Sequence, residues 1–224
     1  MAESFLLALP PQHSRTIKRT LQLPNNKRKK PKQARSIVTV DAILEAAAHI
    51  LRNEGIEGLN TNKVAAIAGV SIGSLYQYFP NKGSLIAALI ELHVEEELTE
   101  LGAVIEQHNF LLTPELIESV ISQFIDIHLR DLQYTRLLHE QVTYAESRQC
   151  LRDATQTLEV LLANMMVVIK NGTWGLDKAT RKAFIVVNAI DSIVQRSIGD
   201  DREVINRESL IEELTALTLG CLEL

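Results

Sequence analysis

The stretch GVSIGSLYQYFPNK, residues 69–82, limits the possible folds of this chain more than any other. Its fourteen positions hold two glycines, a proline and three aromatics, in a chain only 4% aromatic. The segments on either side space their apolar residues at three and four, the period of a helix. Gly69 follows the last residue of a short helical run, where glycine enters left-handed backbone without penalty. Val70 can plug the angle that follows. Ser71 is placed to cap a second short helix, which must end before Pro80 because proline disfavours helical geometry in the residue before it. Asn81 is placed to cap the helix after that. Two short helices around a tight turn, with a longer helix before them, predict a helix-turn-helix.

The rest of the sequence continues in the same style. Val40, Ile43, Leu44, Ala47, Ile50 and Leu51 form one stripe of a helix that stops at Gly55. The first short helix is expected over Thr61–Ala68, capped by Thr61 or Asn60. After Asn81, residues Leu85, Ala88, Leu89 and Leu92 line one helical face. Thr113 caps a long helix with Pro114 at its first position. A shorter helix is expected around Leu132–Val142, and another long one over about 148–170, ending at Asn171-Gly172. Asp177 is expected to cap a helix through Ile198, and Ser209 to open the last one through a capping box with Glu212. No strand alternation and no internal repeat interrupt this pattern. The fold class is all-α, with a flexible arm over 1–34, a helix-turn-helix unit over 35–102 and a further helical region over 103–224.

Charge is distributed unevenly. The net charge of −5 combines a +8 arm, residues 1–35, with a −13 body. A basic arm on an acidic body suits a nucleic-acid partner, and a solvated leader suits the same composition. Cys150 and Cys221 show no CxxC spacing and the histidines no ligand spacing, so reduced thiols and no metal or cofactor are expected. No nucleophile–base set or phosphate loop points to an enzyme. No apolar run reaches membrane length, and FLLAL is too short for a signal core, so the expected location is the cytoplasm.

The second short helix, SIGSLYQYF, carries the chemistry. Leu75 and Phe79 are four apart and face the core, which leaves Ile72, Gly73, Tyr76, Gln77 and Tyr78 for another role. A tyrosine hydroxyl can donate to a phosphate oxygen while its ring packs on the sugar. Gly73 permits close approach to a base edge, and Gln77 can pair with adenine through two hydrogen bonds. Lys82 places a cation in the first turn of the following helix.

Residues Arg35 to Leu89, with the alanine-rich first helix, IAGVS, SLYQYF and NK, closely resemble the DNA-binding domain of the TetR family of bacterial transcriptional regulators. The resemblance implies a homodimer on a palindromic double-stranded operator, one recognition helix per half-site, and a C-terminal pocket for a small-molecule effector that releases DNA, hence a repressor. It places Thr61, Ser74, Tyr76, Tyr78 and Lys82 at phosphates and Asn62, Ile72, Gly73 and Gln77 at bases, with Lys63 beside them in the DNA-facing set. Residues 36–102 hold three Lys/Arg against nine acids, so the domain lacks a broad basic surface and leans on the arm.

Polar residues inside apolar stretches of the C-terminal half are candidates for the effector site: Gln123, His128, Asn164, Asn188 and Asp191, with Phe110 and Trp174 as walls. Each is equally a candidate for an interhelical or dimer hydrogen bond. The helices at about 178–198 and 209–222 are more apolar than one core contact requires. They are expected to form a four-helix dimer interface that includes Val194 and Leu214. Two rival readings stay open: an activator or ligand-independent regulator of the same fold, and a helical small-molecule-binding protein or enzyme using the C-terminal cavity.

Overall fold

A computed structural model describes residues 34–140, 145–171, 173–199 and 206–224. The arm expected over 1–34 lies outside them, apart from its last residue. The described residues form nine helices and no strand: α1 Ala34–Gly58, α2 Thr61–Ile67, α3 Ile72–Tyr78, α4 Lys82–Gln107, α5 Pro114–Arg130, α6 Leu132–Glu140, α7 Ala145–Ile169, α8 Leu176–Gly199 and α9 Arg207–Leu222.

Packing divides the chain into two units. The first takes residues 34–94 together with 131–140 and 145–150. The second takes 95–130 and the described residues from 151 onward. This division differs from the expected limits of 35–102 and 103–224 in two ways. Helix α4 runs unbroken past residue 102 and gives each unit a part, and α6 packs with the first unit rather than the second.

In the first unit α1 lies against α2 and α6, and α2 against α3. Ile43, Ala47, Ile50 and Leu51 of α1, Val64 of α2, Leu75 of α3 and Leu85 and Leu89 of α4 are fully enclosed. Gly55 breaks α1 with φ of 68°, the left-handed backbone that glycine adopts freely. Asn60 rather than Thr61 caps α2, accepting from the Asn62 amide at 2.8 Å. Gly69, with φ of 67°, ends the same helix. There the Val70 amide reaches back to the Ala65 carbonyl at 3.0 Å and Gly69 to Ala66 at 3.3 Å, closing two of the carbonyls that a helix end leaves open. Ser71 then caps α3 through the Ser74 amide at 3.0 Å, and Asn81 caps α4 through the Ser84 amide at 2.8 Å.

The docking of α6 on α1 is built around Arg52. Its Nε donates to Asp131 at 2.6 Å, and its guanidinium stands 4.1 Å over the Tyr134 ring. Asp131 also caps α6, through the Tyr134 amide at 3.3 Å. The edge of Tyr134 meets His93 of α4, with ring centroids 6.2 Å apart.

In the second unit α9 lies along α5, and α8 touches both. Leu210, Ile211, Leu214, Thr218 and Leu222 form the buried stripe of α9. Arg207 fastens its start to α5, with Nε donating to Asp126 at 2.6 Å and Nη2 to Ser122 at 2.9 Å. Two cap expectations shift. Asn206, not Ser209, caps α9, accepting from the Ser209 amide at 2.7 Å. Asp177 lies inside the first turn of α8, which opens from Gly175. Val194 and Leu214 also differ from expectation, because both are enclosed within their own unit. The large apolar groups left outside on these helices are Leu176, Phe184 and Ile185 of α8, 57%, 56% and 54% exposed, and Leu217 of α9.

Candidate nucleic-acid interface and effector site

Helix α3 is anchored by one side and presents the other. Leu75 and Phe79 are buried, whereas Ile72, Gly73, Tyr76 and Gln77 are exposed and Ser74 and Tyr78 half-buried. The helix has seven residues, so two anchors four apart fix its rotation and the remaining positions must point outward. Thr61, at the first turn of α2, meets this face directly: its hydroxyl lies 3.2 Å from that of Tyr76. Asn62 and Lys63 are exposed on the same turn. In this pair one hydroxyl donates to the other, which leaves one O–H to donate outward to a phosphate oxygen.

The two lysines behave differently from the hydroxyls. Lys63 forms an ion pair with Glu54 of α1. The ammonium of Lys82 donates to the carbonyl of Ile56, at the end of α1. Both cations therefore tie α1 to the helices that follow it. Arg52 is held by Asp131, so all three basic residues of 36–102 have acceptors within the protein.

In the second unit the candidate effector residues separate into two sets. Gln123, His128 and Asp191 belong to one polar cluster. The Gln123 amide donates to Glu100 at 2.8 Å, and Arg130 grips the same carboxylate with two hydrogen bonds of 2.8 and 2.7 Å. His128 is buried, its Nδ1 lies 2.9 Å from the Phe124 carbonyl, and its ring is 4.4 Å from that of Phe124. A carbonyl only accepts, so Nδ1 carries the proton, and burial lowers the pKa of the ring. Asp191 accepts from Gln195 at 2.6 Å. Burial pushes its carboxyl up, against the opposing effects of Gln195 and His128.

Asn164, Asn188, Trp174 and Phe110 lie outside this cluster. Asn164 donates to the Val160 carbonyl one turn back at 2.8 Å. Asn188 bridges α8 to Glu159 of α7 at 2.7 Å. Trp174 is buried under lysines, with Lys178 Nζ 3.7 Å from the ring centroid. Phe110 is buried in the turn after α4, at φ of 58°.

The cluster includes a residue that sequence reasoning missed. Glu97 stands on the buried stripe of α4, in line with Ile90, Val94, Leu101 and Ile105. Burial, then the charges of Asp191 and Glu100, push its carboxyl up to about 8. The signal was present in HVEEELTEL, where one of three consecutive glutamates falls on an apolar register position.

A helix-turn-helix with an outward recognition face, joined to a second helical unit, defines a DNA-binding transcriptional regulator. Residues 43–89 match the model of the bacterial regulatory proteins of the tetR family, and residues 113–222 that of the tetracyclin repressor-like C-terminal domain. The chain belongs to the TetR family. It is 38% identical over 76 residues to the HTH-type transcriptional repressor DrrR1 of Streptomyces coeruleorubidus, a match spanning 34% of this chain and 28% of that protein. It is 29% identical over 119 residues to the nucleoid occlusion factor SlmA of Vibrio vulnificus, covering 53% of this chain and 59% of the relative. The chain thus spans less than two thirds of either. A crystal structure of a transcriptional regulator from Rhodococcus shares the fold with a TM-score of 0.63 at 19% identity, over 82% of this chain and 95% of the other. No helix among the described residues is long and apolar enough to cross a membrane, and none of their side chains group as a metal site.

Proposed function

We propose that the protein is a cytoplasmic repressor that binds a palindromic operator as a homodimer and leaves it when a small molecule occupies the second unit. On this reading residues 35–102 are the DNA-binding domain and 103–224 the effector-binding and dimerisation domain. The observation that carries the proposal is the face of α3. Leu75 and Phe79 hold the helix from behind, while Ile72, Gly73, Tyr76 and Gln77 stand clear of the protein beside the Thr61 hydroxyl. Gln77 and Gly73 serve base edges, and Thr61, Ser74, Tyr76 and Tyr78 serve phosphates. Exposed Phe184, Ile185 and Leu217 suit the partner protomer. Because the Lys63 charge is paired with Glu54, most phosphate neutralisation falls to Lys82 and the basic arm.

Selection of bound sequences from a random duplex library tests the first half of the proposal. A two-fold symmetric consensus is expected, and recovery of no consensus refutes sequence-specific binding. Transcription from a promoter carrying that consensus distinguishes repression from activation.

A further inference from the structure

Glu223, just past α9, holds a conformation that its residue type does not favour. It caps the helix at φ of 57° and ψ of 43°, left-handed backbone that glycine or asparagine enters more readily. Among the described residues three others that are not glycine share a positive φ: Asn109, Asn171 and Phe110. Two of these are asparagine, and Phe110 is held by its burial. Glu223 is exposed, so contacts of its polar groups must offset the cost. Those contacts are three lysines. Lys170, after α7, donates to its backbone carbonyl at 2.7 Å. Lys178 of α8 reaches both oxygens of its carboxylate, at 3.2 and 3.3 Å, and Lys182 stands 3.8 Å from the same group.

The lysines are themselves placed against local preference. Lys178 and Lys182 are four apart and share one face of α8, where like charges repel. Lys178 also lies in the first turn, where the helix dipole disfavours a cation. Glu223 answers both, since one carboxylate reaches the two ammonium groups. Beside them lies Trp174, buried and the single tryptophan of the chain. The ammonium groups of Lys178, Lys170 and Lys182 stand 3.7, 5.1 and 6.0 Å from its ring centroid. The three side chains thus cover the indole, and Glu223 ties the cover together. The side chains of Glu223, Lys178 and Lys182 remain 51%, 40% and 28% exposed. Ion pairs this open to water weaken as salt screens them. The buried stripe of α9 ends at Leu222, so apolar packing holds the helix without them.

We propose that Glu223 and the three lysines form a salt-sensitive clasp, which joins the end of α9 to the start of α8 and so sets how firmly two protomers associate. The large apolar groups that these helices expose are Leu176, Phe184 and Ile185 of α8 and Leu217 of α9. A partner covers both helices together only while they keep one relative placement. At Gly199 and Arg207 the two helices are joined by a short stretch of chain. At their other ends, Leu176 and Leu222, no such link exists, and the clasp supplies it. This rests on the reading of that face as the homodimer contact and adds its control by ionic strength.

Acrylamide quenching of Trp174 fluorescence reads the clasp, because the quencher is uncharged and no other tryptophan contributes. In the unaltered protein the quenching constant is expected to rise about twofold between roughly 0.05 and 1 M salt, where the screening length falls to about 3 Å. Glu223→Gln keeps the side-chain shape and should show the raised value at every salt concentration. Sedimentation equilibrium reads the assembly. The dimer dissociation constant of the variant is expected to be about three- to tenfold larger than that of the unaltered protein at low salt, and equal to it at about 1 M. Quenching that is independent of salt in the unaltered protein, or unchanged by Glu223→Gln, overturns the clasp. The salt titration uses the unaltered protein, so it stands even if the variant does not fold. A clasp that opens with salt while the two dimer constants match at low salt overturns its role in assembly. A protein that is monomeric at every concentration refutes the dimer reading and that role with it, while quenching still decides the clasp.

Discussion

Replacing Glu97 by glutamine keeps the size of the side chain and removes its ionisation, so it should change how stability depends on pH. In the unfolded chain the carboxyl loses its proton near 4.5, whereas in the folded protein it keeps it up to about 8. Between those values unfolding releases a proton, so folding stability falls as pH rises, at about 1.4 kcal/mol per unit. The lower part of the window is shared with other groups. Asp191 is raised from 3.8 and acts in the same sense. His128 is lowered from 6.5, so it adds stability as pH rises toward that value. From pH 6.5 to 8 the Glu97 contribution is the cleanest. Integrating across it, the wild type should lose on the order of 1.5 kcal/mol relative to Glu97→Gln. Urea unfolding of both proteins at pH 6.5 and pH 8, at one protein concentration, measures this difference. Midpoints that shift in parallel would refute the claim that burial raises the Glu97 carboxyl.

Three further outcomes are expected. Gln77→Ala should cost about 1–3 kcal/mol at particular base pairs of the selected operator, whereas Tyr76→Phe should weaken operator and non-operator duplexes alike; gel shifts over single-base variants separate the two. Deleting residues 1–32 should flatten the slope of log K against log salt by roughly 5–7 units for a dimer, if three or four cations per protomer engage phosphates. An unchanged slope in a salt titration would mean that the arm takes no part. Phe184→Asp should shift sedimentation from dimer to monomer with helical content retained, because that ring is 56% exposed in the protomer. Val194→Asp, at a position with 0% exposure, should instead cost several kcal/mol of protomer stability, read as a lower urea midpoint.

Local chemistry made the recognition region legible from sequence. Gly69 had to take left-handed backbone, Ser71 and Asn81 had to cap, and Leu75 and Phe79 had to share one face; each depends on residues no more than four apart. The exposed Ile72, Gly73, Tyr76 and Gln77 follow from that register. Partners distant in sequence were not legible. Lys82 gives no sign in sequence of the Ile56 carbonyl, twenty-six positions earlier, to which it donates. Val194 and Leu214 read as interface residues, since an apolar stripe does not say whether α5 or a second protomer covers it. Likewise Arg52, Asp131 and Tyr134 show their joint role only once α6 is found against α1.

Glu97 illustrates both sides of this division. Its place on the buried stripe of α4 is fixed by helical period alone, so the anomaly of a carboxyl among Val94, Leu101 and Ile105 was readable from the start. Its shifted ionisation was not. That required Asp191, ninety-four positions later, to stand close enough for its charge to be felt and Arg130 to be committed to Glu100. Periodicity and capping act through the backbone over one or two turns, whereas the electrostatics of an enclosed site depend on which distant side chains folding places together.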